Sequence, residues 1–316
     1  MKRRDICILG GTGFVGGRIA TRLANAEHHV KVLTRYREAH KELLVLPNLQ
    51  LVQTNVHSQA SLAREFADCD IVINLVGILN ETRHQTFNTV HVELAGKVVA
   101  ACKEAGVRRL LHMSALRADI NGPSRYLRTK GEAESLVLNE KDLDVTVFRP
   151  SVIFGPGDSF VNRFAALLKV PSPIFMLPSP NARFAPVYVA DVVSAFEKAV
   201  NDNETSGKTY DLAGPKVYSL KEIVSNIARA LGLHRRIIGL GDTMSRMIAR
   251  ILGRLPGKPM SVDNYLSMKV HSITDQNGFA ALDIKLESFE ALLPLILAGD
   301  PEQVRLDQFR TESGRF

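Results

Sequence analysis

The chain has 316 residues, of which 45% are hydrophobic, and it carries a formal charge of +7 with a pI near 9.4. That content can bury a large core, as one big domain or two unequal ones. No run of like charge exceeds Lys2-Arg3-Arg4, so the diffuse basic excess argues against nucleic acid and suits an anionic cofactor or membrane surface, while no stretch approaches the roughly 18 apolar residues of a spanning helix.

The opening MKRRDICILGG carries basic residues before an apolar run too short for a signal peptide, and reads as a strand. Ile6–Leu9, Val30–Leu33, Ile71–Val76, Leu110–Met113 and Val145–Phe148 are short and mostly apolar, like strands of a parallel sheet buried on both faces. Helical patterns lie between them at Val15–Ala26, Ser61–Ala67, Val92–Ala105 and Arg125–Asn139. Repeated strand–helix units predict a doubly wound α/β fold of Rossmann type, with its ligand at the carboxyl ends of the strands. Three widely spaced cysteines, Cys7, Cys69 and Cys102, fit a reducing compartment, and the expectation is a cytoplasmic protein.

After Pro150 six prolines up to Pro186 break the chain into loops and short elements. Residues 1–150 are therefore expected to form the nucleotide-binding domain. Residues 151–316 form mainly a smaller C-terminal substrate-binding part, with a segment near 184–200 returning to the first domain. Ser219-Leu-Lys-Glu222 is a capping box that starts a helix running to about Leu231.

Two local patterns carry chemistry. Gly10-Gly11-Thr12-Gly13-Phe14-Val15-Gly16 follows a strand and opens a helix. Gly10 permits a tight turn, Gly13 lets backbone N–H groups approach a pyrophosphate, and Gly16 lets helix and strand pack closely. The second strand ends in Thr34-Arg35-Tyr36-Arg37, where an acid would hold the ribose of NAD and an arginine suits a 2′-phosphate. NADP(H) is therefore expected over NAD(H). Tyr126 and Lys130 lie four residues apart on one helical face, where a lysine ammonium lowers a phenol pKa and prepares it for proton transfer.

Together with "FRPSVIFGPGD" (148–158) and "FAPVYVADV" (184–192), these patterns resemble the extended short-chain dehydrogenase/reductase superfamily. "NLVGIL" (74–79), "HVELAGKVVAACKEAGVRRLLHMSAL" (91–116) and "YDLAGPKVYSLKEIV" (210–224) are similar to an atypical branch of it. That branch includes an accessory subunit of mitochondrial respiratory complex I and bacterial epimerase-like, NAD(P)-binding proteins. The resemblance implies cofactor contacts from Gly10, Thr12, Gly13, Phe14, Val15 and Gly16, with Arg35 at the 2′-phosphate and Asn55 and Val56 near adenine. It implies further contacts from Val76 and Gly77 at the end of the fourth strand, Lys130 at the ribose, Pro150 and Val152 near the nicotinamide, and Tyr126 and Lys130 as the catalytic pair. The chain departs from the superfamily at Ala115, where a Ser or Thr polarises the substrate, with Ser114 one residue early, and at His91, where an asparagine is usual.

His28, His29 and His112 lack partners at metal-ligand spacing, and no metal is expected. Arg183 is read either as a diphosphate contact or as a bridge to Asp191. Asp242 caps a helix over Thr243–Leu255. This helix sets Met244, Met247, Ile248, Ile251, Leu252 and Leu255 opposite Arg246, Arg250 and Arg254. It is either packed on the C-terminal part or interfacial, touching an anionic membrane at its inner face.

The expected function is NADP(H)-dependent hydride transfer involving a carbonyl or hydroxyl substrate, quinone- or lipid-related if the helix is interfacial. Two readings stay open beside it. One is a cofactor-binding structural or assembly protein without turnover, and the other is a sugar-nucleotide epimerase or dehydratase.

Overall fold

The computed structural model describes residues 2–255 and 260–298. The first half holds β1 (Asp5–Leu9), α1 (Phe14–Asn25), β2 (His29–Thr34), β3 (Leu49–Gln53), α2 (Gln59–Phe66), β4 (Ile71–Asn74), α3 (Leu94–Ala105), β5 (Arg109–Met113), α4 (Arg125–Leu138) and β6 (Asp144–Pro150). It alternates except between β2 and β3, which are joined by a 3₁₀ segment (Arg37–Val45). The second half holds β7 (Ile153–Phe154), α5 (Ser159–Lys169), β8 (Ile174–Leu177), β9 (Arg183–Phe184), β10 (Val187–Tyr188), α6 (Val189–Asn201) and β11 (Thr209–Leu212). It continues with β12 (Tyr218–Ser219), α7 (Leu220–Ala230), β13 (Arg236–Gly239), α8 (Asp242–Leu252), α9 (Val262–Ser267) and α10 (Phe289–Ala298). None of these helices is long and apolar enough to cross a membrane.

Seven strands form one parallel sheet in the order β11-β6-β5-β4-β1-β2-β3, the expected Rossmann-type arrangement. Side chains alternate between its faces as the pleat requires. Ile6 and Ile8 join Ile19, Leu23, Val192 and Phe196 of α1 and α6 on one side. Cys7 and Leu9 join Leu62, Val98, Cys102 and Val137 of α2, α3 and α4 on the other. Strand order reverses between β1 and β4, where Leu75 N donates to Leu9 O (3.0 Å), and the crevice at this point is where such sheets take a ligand.

Two strands of this sheet escape the search for apolar runs. β3 reads LQLVQ, alternating as a half-buried edge does, and β11 reads TYDL. β11 pairs with β6, and Phe279 and Leu282 from far along the chain enter the first core. A separate core of Phe154, Tyr218, Ile223 and Phe289 joins α5, α7 and α10 in the C-terminal part. Helix boundaries also shift, because caps and not periodicity decide them: Ser58 caps α2, and α8 opens from Gly241 with Asp242 inside its first turn.

Candidate nicotinamide-nucleotide site

After Leu9 the chain turns through Gly10, whose φ of +77° and 3.1 Å clearance between a built Cβ and the Leu75 carbonyl carbon call for glycine. Gly13 N donates back to Gly10 O (3.0 Å), and Gly13 opens α1 with neither a side-chain cap nor an acidic first turn. A Cβ on Gly16 would lie 2.1 Å from Gly10 O, so only glycine lets the helix start against its own loop. The first N–H groups of α1 are left for an outside acceptor, and the helix dipole favours an anion there. These residues therefore fit a dinucleotide pyrophosphate. Thr12 is half-buried beside them, and Val15 is in the core. Phe14 carries the Arg18 guanidinium 4.7 Å from its ring centroid, and Arg18 donates to Phe14 O (2.7 Å) and Pro156 O. Arg18, which the sequence reading passed over, thus ties the glycine loop to the loop after β7.

Toward the far edge of the sheet, Arg35 follows β2 and is exposed. Asn55 Oδ1 accepts from His57 N (3.0 Å) and Val56 is buried. Burial, then the Lys97 and Arg35 charges, lower the His57 pKa, so Arg35 and Lys97 are two cations near this imidazole, with Glu93 beside it. No spacing rule links α3 to this corner, and the sequence reading missed both His57 and Lys97.

At the other side of the crevice, Asn74 Oδ1 accepts from Val76 N (3.2 Å) and fixes the strand exit that leads to Gly77. Ile78 N donates to His91 Nε2 (3.2 Å), so the imidazole proton sits on Nδ1 and is given to Thr129 Oγ1 (2.9 Å). Burial, and then the nearby Lys130, hold His91 at about 3, so it is neutral at ordinary pH. His91 lies in a π-helical turn, Asn88–Glu93, that leads into α3. Such turns cluster at functional sites. One strand over, the buried Ser114 Oγ and His112 Nε2 have no partner.

Lys130 is buried and donates Nζ to Met113 O (3.0 Å). A Cβ on Gly77 would stand 3.2 Å from this amine, so the exits of β4 and β5 and the α4 helix converge on it. Burial lowers the Lys130 pKa to about 8, with Glu134 opposing the shift. Tyr126 is half-buried, edge-on to His91 (5.6 Å between centroids) and to Phe87 (5.9 Å). Its phenol is pushed up to about 12 by burial and then by the Asp263 carboxylate. The expectation that Lys130 lowers this pKa is corrected. Lys130 is bound to a main-chain carbonyl, and the charge felt by Tyr126 is an acid 137 positions away in sequence. Ala115 is buried at the same strand exit; Pro150 O accepts from Leu116 N (2.9 Å) and Val152 O from Val187 N (3.0 Å).

Asp263 does more than sit near Tyr126. Its carboxylate accepts Arg125 N (2.7 Å) and Tyr126 N (3.1 Å), the open donors at the head of α4. Ser124 Oγ accepts Leu127 N (3.1 Å) and the Ser267 hydroxyl (2.8 Å), and Asn264 Nδ2 donates to Leu79 O (3.0 Å). Residues 261–269 therefore strap the tyrosine end of α4 to the loop after β4. Asp191, read as a partner for Arg183, accepts Glu287 N (3.1 Å) instead. Arg183 lies near Glu222, whose pKa is lowered mainly by its hydrogen bonds from Ser219 and further by the Lys216 and Arg183 charges.

The family described as NAD(P)H-binding matches residues 10–158, and the 3-beta hydroxysteroid dehydrogenase/isomerase family matches residues 115–237. The "NADH dehydrogenase [ubiquinone] 1 alpha subcomplex subunit 9, mitochondrial" of Arabidopsis thaliana is 32% identical over 98% of this chain and 79% of its own length. The "NADH-ubiquinone oxidoreductase 40 kDa subunit, mitochondrial" of Neurospora crassa is 26% identical over 89% of this chain and 74% of its own. Among solved structures, a nucleoside-diphosphate-sugar epimerase from Staphylococcus aureus shares the fold, with a TM-score of 0.73 and 18% identity over 92% of this chain and 99% of that one. Both sequence relatives are named as mitochondrial, which overturns the cytoplasmic placement. Free thiols separate reducing from oxidising surroundings, and do not tell one reducing compartment from another.

Proposed function

The chain belongs to the extended short-chain dehydrogenase/reductase family, in the branch of the mitochondrial NADH dehydrogenase subunits, and on that premise we propose that it holds NADP(H) as a bound structural ligand without rapid turnover. One observation carries the reading: an intact dinucleotide cradle stands beside a proton-transfer pair whose surroundings oppose proton transfer. Lys130 gives a hydrogen bond to Met113 O, burial and then the Asp263 carboxylate oppose ionisation of Tyr126, and Ala115 offers no hydroxyl to a substrate oxygen. When bound, the nucleotide would supply a hydride at its nicotinamide. Gly10, Thr12, Gly13, Phe14, Val15 and Gly16 would hold the pyrophosphate. Arg35, with Lys97 near it, would favour the 2′-phosphate, and Asn55 and Val56 would flank adenine. Val76, Gly77, Lys130, Pro150 and Val152 would line the nicotinamide end.

Membership of a respiratory quinone-linked assembly follows for this chain from its relatives' names alone, and is part of the same proposal. The second reading, hydride exchange with a carbonyl or hydroxyl substrate that is quinone- or lipid-related, is favoured by one fact: Tyr126 and Lys130 are both present one helical turn apart. Gentle purification followed by mass spectrometry of the released nucleotide tests both. NADPH or NADP⁺ at one per chain is expected, and Arg35→Asp should narrow or reverse the preference over NAD(H). A chain that keeps no nucleotide, or takes both with equal affinity, overturns the holding role or the NADP preference respectively. Reduced-nicotinamide oxidation by an added quinone that falls by about 10²–10⁴-fold in Tyr126→Phe would establish the enzyme reading instead.

A further inference from the structure

Seventeen large hydrophobic side chains are exposed among the described residues, and nine of them fall within two short segments, 159–180 and 231–255. The same segments carry seven Lys and Arg against one acid, Asp242, an excess of six in a chain whose net charge is +7. Even that acid is engaged, because Asp242 Oδ1 takes the Tyr265 hydroxyl (2.6 Å) and pairs with Lys269. Apolar and cationic surface thus coincide in a small part of the molecule.

The fold brings the two segments together. β8 and β13 pair in parallel, with Ile174 beside Arg236 and Met176 beside Ile238. Phe175, Ile237 and Leu177 turn to the C-terminal core, so Ile174, Met176, Arg236 and Ile238 share the outward face. Leu240 N donates to Leu177 O (2.9 Å), and two residues later α8 begins, pinned by Ser179 N to Ser245 Oγ (3.1 Å). α8 does not bury the face that the sequence pattern offers to a core. Its inward residues are Ser245 and Ala249, whereas Met244, Met247 and Ile251 are 46%, 46% and 54% exposed. At 3.6 residues per turn, three sectors follow one another around the helix: the small buried one, the exposed methionine and isoleucine stripe, and Arg246, Arg250 and Arg254 along its flank.

We propose that this surface, formed by α8 and the outer face of β8 and β13, docks on an anionic phospholipid membrane. An apolar stripe beside like-signed arginines is what an interfacial helix presents to a lipid headgroup layer. A second copy of this chain would bring the same positive charge to the contact, and the patch exposes no Phe, Tyr or Trp of the kind that anchors protein partners. The attachment is peripheral and does not depend on the nucleotide.

Flotation of the full chain with phosphatidylcholine vesicles, with and without phosphatidylglycerol, tests the proposal. Binding is expected only to the vesicles with phosphatidylglycerol, and it should weaken as sodium chloride rises. Each arginine is expected to contribute about five-fold in partitioning, so Arg246→Gln, Arg250→Gln and Arg254→Gln together should lower it on the order of a hundredfold. Met247→Ser with Ile251→Ser should weaken binding at every salt concentration. These side chains are exposed, so melting temperature and nucleotide retention should stay unchanged and report that the variant is folded. Leu44→Ser with Val45→Ser, exposed elsewhere, should have no effect. Absence of vesicle binding at low salt, equal binding to neutral vesicles, or an equal loss in the Leu44/Val45 variant would overturn the proposal. Self-association relieved by Met247→Ser and Ile251→Ser, without vesicle binding, would mark a contact between copies and overturn it as well.

Discussion

His91 stands where the superfamily usually has an asparagine, and its hydrogen bonds show how an imidazole fills that place. It accepts one backbone N–H through Nε2 and passes its own proton to Thr129, which requires the neutral ring. His91 and His112 are both held at about 3 by burial, with Lys130 adding to the effect, against an ordinary value near 6.5. A depressed histidine pKa means that the unfolded chain binds more protons than the folded one between pH 6.5 and about 3. Stability therefore falls as pH drops through that window, by up to about 1.4 kcal/mol per pH unit for each ring. His91→Asn, which keeps an acceptor and a donor, should flatten the acid limb of stability by about one proton between pH 6 and 4. Urea melts across that range measure it, and an unchanged slope would show that His91 already carries its proton in the fold.

At the scale of elements, the head of α4 depends on a segment that is remote in sequence. Ser124 supplies the local cap, but the first two N–H groups go to Asp263. Losing a capping side chain costs about 1 kcal/mol, so Asp263→Ala should lower the melting temperature by a few degrees. Asp263→Asn keeps one of the two acceptor oxygens, so it should cost less stability than Asp263→Ala, while removing the charge that, after burial, raises the Tyr126 phenol. Ultraviolet phenolate titration, with Tyr126→Phe as reference, should then show one tyrosine ionising at lower pH. Equal destabilisation by both substitutions would mean that the charge and not the hydrogen bonding holds the strap.

For the whole molecule, the sheet is completed by chain that comes after the proline-rich region. β11 covers the β6 edge, α6 packs on α1, and Phe279 and Leu282 fill the same core. A fragment ending at Val200 keeps nearly all of α6 but lacks β11, Phe279 and Leu282, leaving β6 as an open edge and Phe148 without its stacking partner Tyr210. It should melt without a cooperative transition, whereas the full chain should keep one. Circular dichroism melts of the two decide it, and a cooperatively folded fragment would show that the first core is sufficient alone.

The glycine turn of the proposed nucleotide cradle was legible in the sequence because its physics is local. The turn, the strand before it and the helix after it lie between Asp5 and Asn25, and the position of Arg35 follows from where β2 must stop. Short apolar runs likewise revealed the strands that are buried on both faces, and the 3.6-residue period revealed the helices that cover them. β3 and β11 escaped because an edge strand alternates weakly and is settled only by its neighbour. The proton-transfer pair shows the boundary most clearly. Spacing put Tyr126 and Lys130 on one face, but their ionisation is set first by burial, and at Tyr126 then by Asp263, which only the fold brings there. The same holds for α8. Its sequence pattern marks an apolar face, yet only the tertiary structure decides that Ser245 and Ala249 are buried and the methionines are not, because burial depends on what stands opposite a helix and not on the helix itself.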